Sequence, residues 1–191
     1  MNRRKFLALV GAGAFAAWRS SAQDTPPQRL RTISYNVLAF RGEPTNRASR
    51  ERLDAEAASL PERTAAELAK FAPDIVTLQE GPAEEVAARF AKALEMNHVW
   101  FPGGWEGDAR YPGGFPGVIA TRFQIVEHEN RPSASAPHDD TLFTRHLGRA
   151  LLETPMENLH VVSAHFHASD HPVRMREAAA IVALIDQLRA S

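Results

Sequence analysis

Residues Pro73–Glu80 read PDIVTLQE, and they give the strongest structural signal in the sequence. After Pro73 it forms a nearly continuous apolar run, which is typical of a strand buried on both faces of its sheet. Glu80 closes the run, so its carboxylate is expected at the polar tip of the strand. The stretch therefore predicts a buried strand that ends in an acidic side chain.

A second strand with a polar end lies upstream. Residues 30–37 read LRTISYNV, in which apolar and polar residues alternate as in a strand, with Asn36 on the polar face at its end. If the two strands are parallel neighbours, Asn36 and Glu80 lie side by side, and an amide oxygen with a carboxylate suits Mg²⁺. The alternative from these residues alone is that Asn36 makes a turn and Glu80 is a surface residue at a helix N-terminus, where a carboxylate is favoured in any case.

The remaining segments alternate between helical and extended patterns. Helices are predicted at 47–70, with Pro61 marking a break or the start of a second helix, at 82–94 and at 172–189. Extended segments are predicted as a hairpin-like strand pair at 118–121 and 124–128 and as strands at 149–153 and 159–166, with loops at 101–117 and 131–144. This order favours an α/β or α+β domain in which helices pack on a largely antiparallel core.

Several of these segments together resemble one known family. LRTISYNV, PDIVTLQE, GVIATRFQI, GRALLE and VVSAHF occur in the order found in the endonuclease/exonuclease/phosphatase superfamily. The resemblance runs from Leu30 to Ile185, and PDIVTLQE is its most specific piece. It implies a four-layer α/β sandwich with two mixed, largely antiparallel sheets flanked by helices. It also implies a metal-dependent phosphoester hydrolase site at one end of the sheets.

The resemblance also implies roles for individual residues. Asn36 matches the amide that contacts metal or phosphate, and Glu80 matches the metal-binding carboxylate. His165 matches the first active-site histidine, which donates to the phosphate as charge builds in the transition state. Arg149 lies where some members carry a phosphate-contacting residue. The implied cofactor is Mg²⁺, with Mn²⁺ or Ca²⁺ as alternatives, and the implied substrate is a phosphoester of nucleic acid, of a phospholipid headgroup or of a small molecule.

Two later parts of the family pattern do not occur in this sequence. The family supplies an Asp–x–Asn pair and a final Asp–His pair, of which one aspartate and the last histidine activate the attacking water, and the 191 residues contain no GDxN string. We therefore expect residues 30–191 to be a domain that is incomplete at its C-terminus, lacks its last strands and carries the first half of the active site. Such a chain should by itself be poorly soluble or inactive, because uncovered strands expose apolar surface. A non-catalytic remnant that binds phosphate or a partner is one alternative.

A second alternative comes from residues 164–171, AHFHASDH, which hold three histidines and one aspartate. The pattern HxHxxDH resembles the HxHxDH motif of the metallo-β-lactamase superfamily, which implies a zinc hydrolase whose ligands converge on two zinc ions about 3.5–4 Å apart. The one extra residue before Asp170 would rotate the later ligands away from such a site. Beside SYNV and PDIVTLQE, the cluster reduces to one catalytic candidate, His165, and Asp170 is then expected to cap the following helix.

Residues 1–22 predict an export signal. Arg3–Lys5 form a basic region, Phe6–Ala17 an apolar run of 12 residues, and Ser20–Ala22 a small-residue cleavage site. NRRKFL resembles a twin-arginine signal, and a general secretory signal is the alternative. Residues 23–29 then form a linker. We expect a periplasmic or secreted monomer that is delivered by the twin-arginine machinery.

The composition limits the remaining classes of function. The chain is 44% hydrophobic and 24% charged, as is ordinary for a globular protein, and it has no cysteine, which excludes disulfides, thiolate metal sites and a cysteine nucleophile. Removing residues 1–22 takes away four basic residues and no acidic one, so the formal net charge of −1 becomes −5. This charge disfavours a dedicated nucleic-acid scaffold protein, whereas an enzyme can gain local positive charge from a metal ion.

Overall fold

The computed structural model describes residues 29–42, 45–103, 114–131 and 142–190. The predicted export signal and nearly all of the predicted linker lie outside the described residues, as do the middle parts of the two long loops. Within the described part of the chain, no helix has the length and apolar character needed to cross a membrane.

The first sheet has four strands in the order β1-β2-β4-β3. They are β1 (Thr32–Asn36), β2 (Ile75–Gln79), β3 (Asn97–Phe101) and β4 (Gly117–Thr121). The two strands that were expected to be parallel neighbours, β1 and β2, do pair in parallel, with Asn36 opposite Gln79. β4 runs antiparallel to both β2 and β3. Asn36 and Glu80 therefore lie at the same end of the sheet, where the parallel strands β1 and β2 finish.

Two helices, α2 (Leu60–Ala69) and α3 (Glu84–Ala93), cover one face of this sheet, and α1 (Arg47–Glu56), which has no buried residue, precedes them. Asn46 caps α1 by accepting from the Ser49 amide, and Pro61 lies in the first turn of α2, where its missing N–H costs nothing. The break predicted at Pro61 is therefore the start of a second helix. Buried residues of α2 and α3 pack against buried residues of β2 and β4. They are Ala65, Ala87, Phe90 and Ala91 on the helices and Val76, Leu78, Val118 and Ala120 on the strands.

The second sheet packs on the opposite face of the first. Its strands are β5 (Gln124–Asn130), β6 (His146–Glu153) and β7 (Asn158–His165), all antiparallel. Buried residues of both sheets meet between them, including Ile75, Phe101, Ile119, Ala150 and Leu152. The helix α4 (His171–Ala190) covers the outer face of this sheet through Val173, Ala180 and Ile181. The expected four-layer α/β sandwich is confirmed.

Two details of the predicted strands were wrong. Residues 118–121 and 124–128 do not form a hairpin, because β4 belongs to the first sheet and β5 to the second. All five residues of β4 are buried, so it is an interior strand with partners on both sides. The strand β3 was not predicted, since its sequence NHVWF is short and begins with two polar residues.

Candidate active site

The ends of β1 and β2 are locked together by backbone hydrogen bonds beyond the strands. The Val37 amide donates to the Gln79 carbonyl at 3.0 Å, and the Ala39 amide donates to the Glu80 carbonyl at 2.7 Å. Asn36 makes a turn, since its Oδ1 accepts from the Leu38 amide at 3.2 Å. Glu80 has a φ of +48°, in the left-handed region that residues with a side chain seldom occupy. Such local strain is typical of functional positions.

Three side chains from three different segments converge at this edge. Arg145, just before β6, donates from one guanidinium nitrogen to Glu80 Oε1 at 3.3 Å and to His165 Nε2 at 3.1 Å. His165, the last residue of β7, places Nε2 at 3.8 Å from Glu80 Oε1. The three side chains are only 15–18% exposed, so the cluster is largely screened but remains open to solvent.

The rings of Phe115 and His146 pack against this cluster. The Arg145 guanidinium carbon lies 4.1 Å from the centre of the Phe115 ring, and the same ring meets His165 edge-on at 6.0 Å. Behind them, His146 is fully buried, with Nδ1 donating to the Phe115 carbonyl and Nε2 accepting from Ser163 Oγ, both at 3.1 Å. Phe115 therefore orients Arg145, and Phe115 and His146 together orient His165.

Both histidines are neutral at pH 7. Burial lowers the pKa of His165 to about 4, and the Arg145 charge adds to this, against the opposing effect of Glu80. Burial likewise lowers the pKa of His146 to about 4, although its hydrogen bond to the Phe115 carbonyl acts the other way. The same guanidinium nitrogen lies 3.1 Å from Nε2 and 3.5 Å from Nδ1 of His165, and since a guanidinium can only donate, the ring nitrogen without a proton is the acceptor.

Arg149 is not part of this cluster. It lies three positions after His146 on β6, so its side chain points to the opposite face of the second sheet. There it is 7% exposed and forms ion pairs with Glu127 and Glu129 and a 3.2 Å contact with His160 Nδ1. Its charge is already neutralised by these two carboxylates. The guanidinium that the structure brings to Glu80 and His165 belongs to Arg145 instead.

The HxHxxDH stretch does not assemble as a metal nest. His167 Nδ1 accepts from the Asp170 amide at 3.0 Å, and Asp170 Oδ1 accepts from the Val173 amide at 2.9 Å. The expected capping role of Asp170 at the start of α4 is thus confirmed. Across the described ranges, no three histidine or acidic side chains are grouped as a metal site would require.

Comparison with known proteins places this geometry in a wider context. Neither a protein-family model nor a curated protein matches the sequence. Solved structures do match. One is an endonuclease/exonuclease/phosphatase family protein from Leptotrichia buccalis; the match has a TM-score of 0.55 at 14% identity and covers 81% of this chain and 61% of that protein's chain. A mannosyl-6-phosphatase from Bacteroides thetaiotaomicron has a TM-score of 0.59 at 17% identity over 84% of this chain and 60% of its own. TDP2 from D. rerio, complexed with a single-strand DNA product, has a TM-score of 0.52 at 17% identity over 84% of this chain and 54% of its own.

The chain has the fold of the endonuclease/exonuclease/phosphatase proteins. The resemblance seen in the sequence is thereby confirmed for the fold. The chain spans between 54% and 61% of the length of these three structures.

Within this endonuclease/exonuclease/phosphatase fold, Asn36, Glu80 and His165 lie at strand ends on one edge of the sandwich, where the sequence predicted them. Arg145 was missed because it stands in a segment that reads as a polar loop before β6. Its one sequence signal is its position directly before the buried strand HLGRALLE. Phe115 belongs to the predicted loop at 101–117 and was not among the predicted site residues, yet its ring contacts Arg145 and its carbonyl accepts a hydrogen bond from His146.

Proposed function

We propose that this chain belongs to an exported, metal-dependent hydrolase of phosphoester bonds, which acts by in-line attack of water, and that the chain carries only part of that enzyme's active site. In this proposal Asn36, Glu80, Arg145 and His165 form the first half of the active site. The observation that carries the proposal is the convergence of Glu80, Arg145 and His165 on one point beside Asn36. A carboxylate, a guanidinium and an imidazole in that arrangement suit a metal ion and a phosphate group together.

The donor set fits Mg²⁺ at Glu80. Asn36 and Glu80 supply one amide and one carboxylate oxygen, and Mg²⁺ commonly takes only one or two protein carboxylates and keeps several waters. Mn²⁺ or Ca²⁺ would find the same oxygens. The bound ion would polarise a phosphoryl oxygen and neutralise part of its charge. Arg145 now neutralises Glu80 at 3.3 Å, so ion binding and this contact compete for the same carboxylate.

Arg145 and His165 are suited to bind the phosphate itself. A guanidinium matches phosphate oxygens in geometry and charge, and the stacking on Phe115 orients it. Neutral His165 has a single N–H to donate, and this donation strengthens as negative charge builds on the phosphoryl oxygens. Its low pKa keeps the ring neutral across the physiological range, so its role here is donation from imidazole.

Binding of inorganic phosphate to the 191-residue chain, measured calorimetrically with and without Mg²⁺, tests this proposal. We expect phosphate to bind in the presence of Mg²⁺, and Glu80→Gln to weaken that binding about tenfold or more, which corresponds to 1.4 kcal/mol. The matched control is Glu153→Gln, which removes the same charge from an exposed residue at the far end of β6. Equal affinities for both variants would contradict the proposal.

Hydrolysis also needs a group that activates the water. Among the described residues, no third acidic or histidine side chain joins Glu80 and His165. We therefore expect the 191-residue chain to bind phosphate and Mg²⁺ but to hydrolyse bis(p-nitrophenyl) phosphate at a negligible rate. Robust turnover by this chain would contradict the half-site part of the proposal.

The proposed activity is hydrolysis of a phosphoester bond, and no single substrate is proposed. Nucleic acid, a phospholipid headgroup and a small phosphoester all remain within it, because the site addresses the phosphate and no described contact reads the rest of a substrate. Export rests on residues 1–22 of the sequence, with the twin-arginine machinery as the proposed partner and the periplasm or the medium as the destination.

A further inference from the structure

Glu177 is an acidic residue at the apolar contact between α4 and the second sheet. Its exposed fraction is 0%, and it lies on the helix whose Val173, Ala180 and Ile181 pack against that sheet. Glutamate is almost never fully buried unless its oxygens are bound. The burial of Glu177 therefore points to a specific role for its carboxylate.

Each of the two carboxylate oxygens binds a different segment of backbone. Oε1 accepts from the Phe143 amide at 2.8 Å, and Oε2 accepts from the His167 amide at 2.8 Å. Only a carboxylate offers two separate acceptor oxygens, because a glutamine side chain has one acceptor oxygen and one donor nitrogen. A glutamine at this position would keep one of the two bonds and lose the other.

The two segments are those that carry the cluster at Glu80. Phe143 lies two residues before Arg145, and His167 lies two residues after His165. Phe143 has a φ of +51°, so its backbone is in an unfavourable region and needs to be held there. The side chain of Glu177 thus spans the gap between the two segments from beneath the site.

We propose that Glu177 is a positioning residue that sets the separation of Arg145 and His165 and so builds the phosphate-binding part of the site. This inference rests on the proposed function, because it assigns a purpose to the same cluster. Glu80 and Asn36 belong to the first sheet and are not held by Glu177. In this proposal α4 positions the phosphate-binding side chains, whereas the metal ligands are held by the ends of β1 and β2.

The test compares Glu177→Gln, which keeps one bond, with Glu177→Met, which keeps none. The control is Asp186→Asn, which removes a charge from an exposed residue of the same helix. We expect the Mn²⁺ affinity to stay within about twofold of wild type in all three variants. The phosphate affinity in the presence of Mn²⁺ should fall about tenfold or more in Glu177→Gln and further in Glu177→Met. Small misplacements of site groups have effects of this size. A purely structural role would not separate the two affinities.

A second measurement is independent of ligand binding. The nuclear Overhauser contact between Arg145 and His165 should weaken from wild type to the Gln variant and disappear in the Met variant, while the contact between His146 and Ser163 persists. If both contacts persist in the Met variant, the positioning role is wrong, whatever the ligands do. If wild type keeps the contacts but binds no phosphate, the proposed function is wrong while the positioning role stands.

Discussion

The stability of this chain should fall sharply between pH 7 and pH 5, because two histidines are buried in their neutral form. The pKa of both His146 and His165 is lowered from 6.5 to about 4 in the folded state, mainly by burial. The unfolded chain therefore binds more protons than the folded chain between these values. Stability is fully present above pH 6.5 and is lost as the pH falls towards 4.

The expected size follows from the two pKa values. At pH 5 an unfolded-state pKa of 6.5 and a folded-state pKa of about 4 give a loss of about 2 kcal/mol for each histidine taken alone. This is a large part of the 5–15 kcal/mol that is typical of a folded domain. Few carboxylates titrate above pH 5, so the histidines should dominate this window.

Urea unfolding followed by tryptophan fluorescence at pH 7, 6 and 5 measures this loss. We expect His146→Gln to lower stability at pH 7 but to remove about half of the difference between pH 7 and pH 5, because glutamine does not titrate. The matched control, His128→Gln, changes an exposed histidine on β5 and should keep the wild-type pH dependence. A wild-type loss of less than about 1 kcal/mol over this range would refute the reasoning, because a pKa shift of even one unit is worth more.

Three further predictions concern single features of the chain. Gly117→Ala should destabilise the fold by about 1–3 kcal/mol in chemical denaturation, because the added Cβ would lie 2.2 Å from the buried His146 ring; no change in the midpoint would contradict this packing. Arg145→Met should raise the pKa of His165 above about 4 in a histidine NMR titration, since a lowering charge is removed and a raising carboxylate remains; an unchanged or lower value would contradict the contact. Changing the pair Arg3–Arg4 to lysines should retain the protein in the cytoplasm on cell fractionation, because a twin-arginine signal needs both guanidinium groups whereas a general signal needs only positive charge; normal export would favour the general route.

The fold was predictable where one local signal determined one element. Ile75, Val76 and Leu78 in PDIVTLQE indicated a buried strand and Glu80 marked its end, so both the strand and the candidate ligand were predicted from this stretch. Pro61 likewise identified a helix boundary. The pairing of β4 was not predictable, because only the two residues Arg122 and Phe123 separate it from β5 and the chain changes sheets there. Local pattern does not distinguish that crossing from a hairpin.

The positions of the candidate site residues were predictable at strand ends and not in loops. Asn36, Glu80 and His165 each end an apolar or alternating run, which gives a position along the sheet. Arg145 and Glu177 act through contacts between segments that are 65 and 34 residues apart in sequence, and no spacing encodes those contacts. Arg149 illustrates the reverse case: it stands in a suggestive motif, but strand alternation turns it to the opposite face of the sheet.

We expect a divalent ion to bind at Glu80 beside the phosphate, and paramagnetic broadening by Mn²⁺ measures where the ion binds. In a titration of the 191-residue chain followed by NMR, we expect early broadening of the Asn36 side-chain amide and the His165 ring, with the His160 ring beside Arg149 affected last. Glu80→Gln should abolish the early broadening, and Glu153→Gln should preserve it. Broadening that begins at His160, or that is unchanged in Glu80→Gln, would show that the ion does not bind at Glu80.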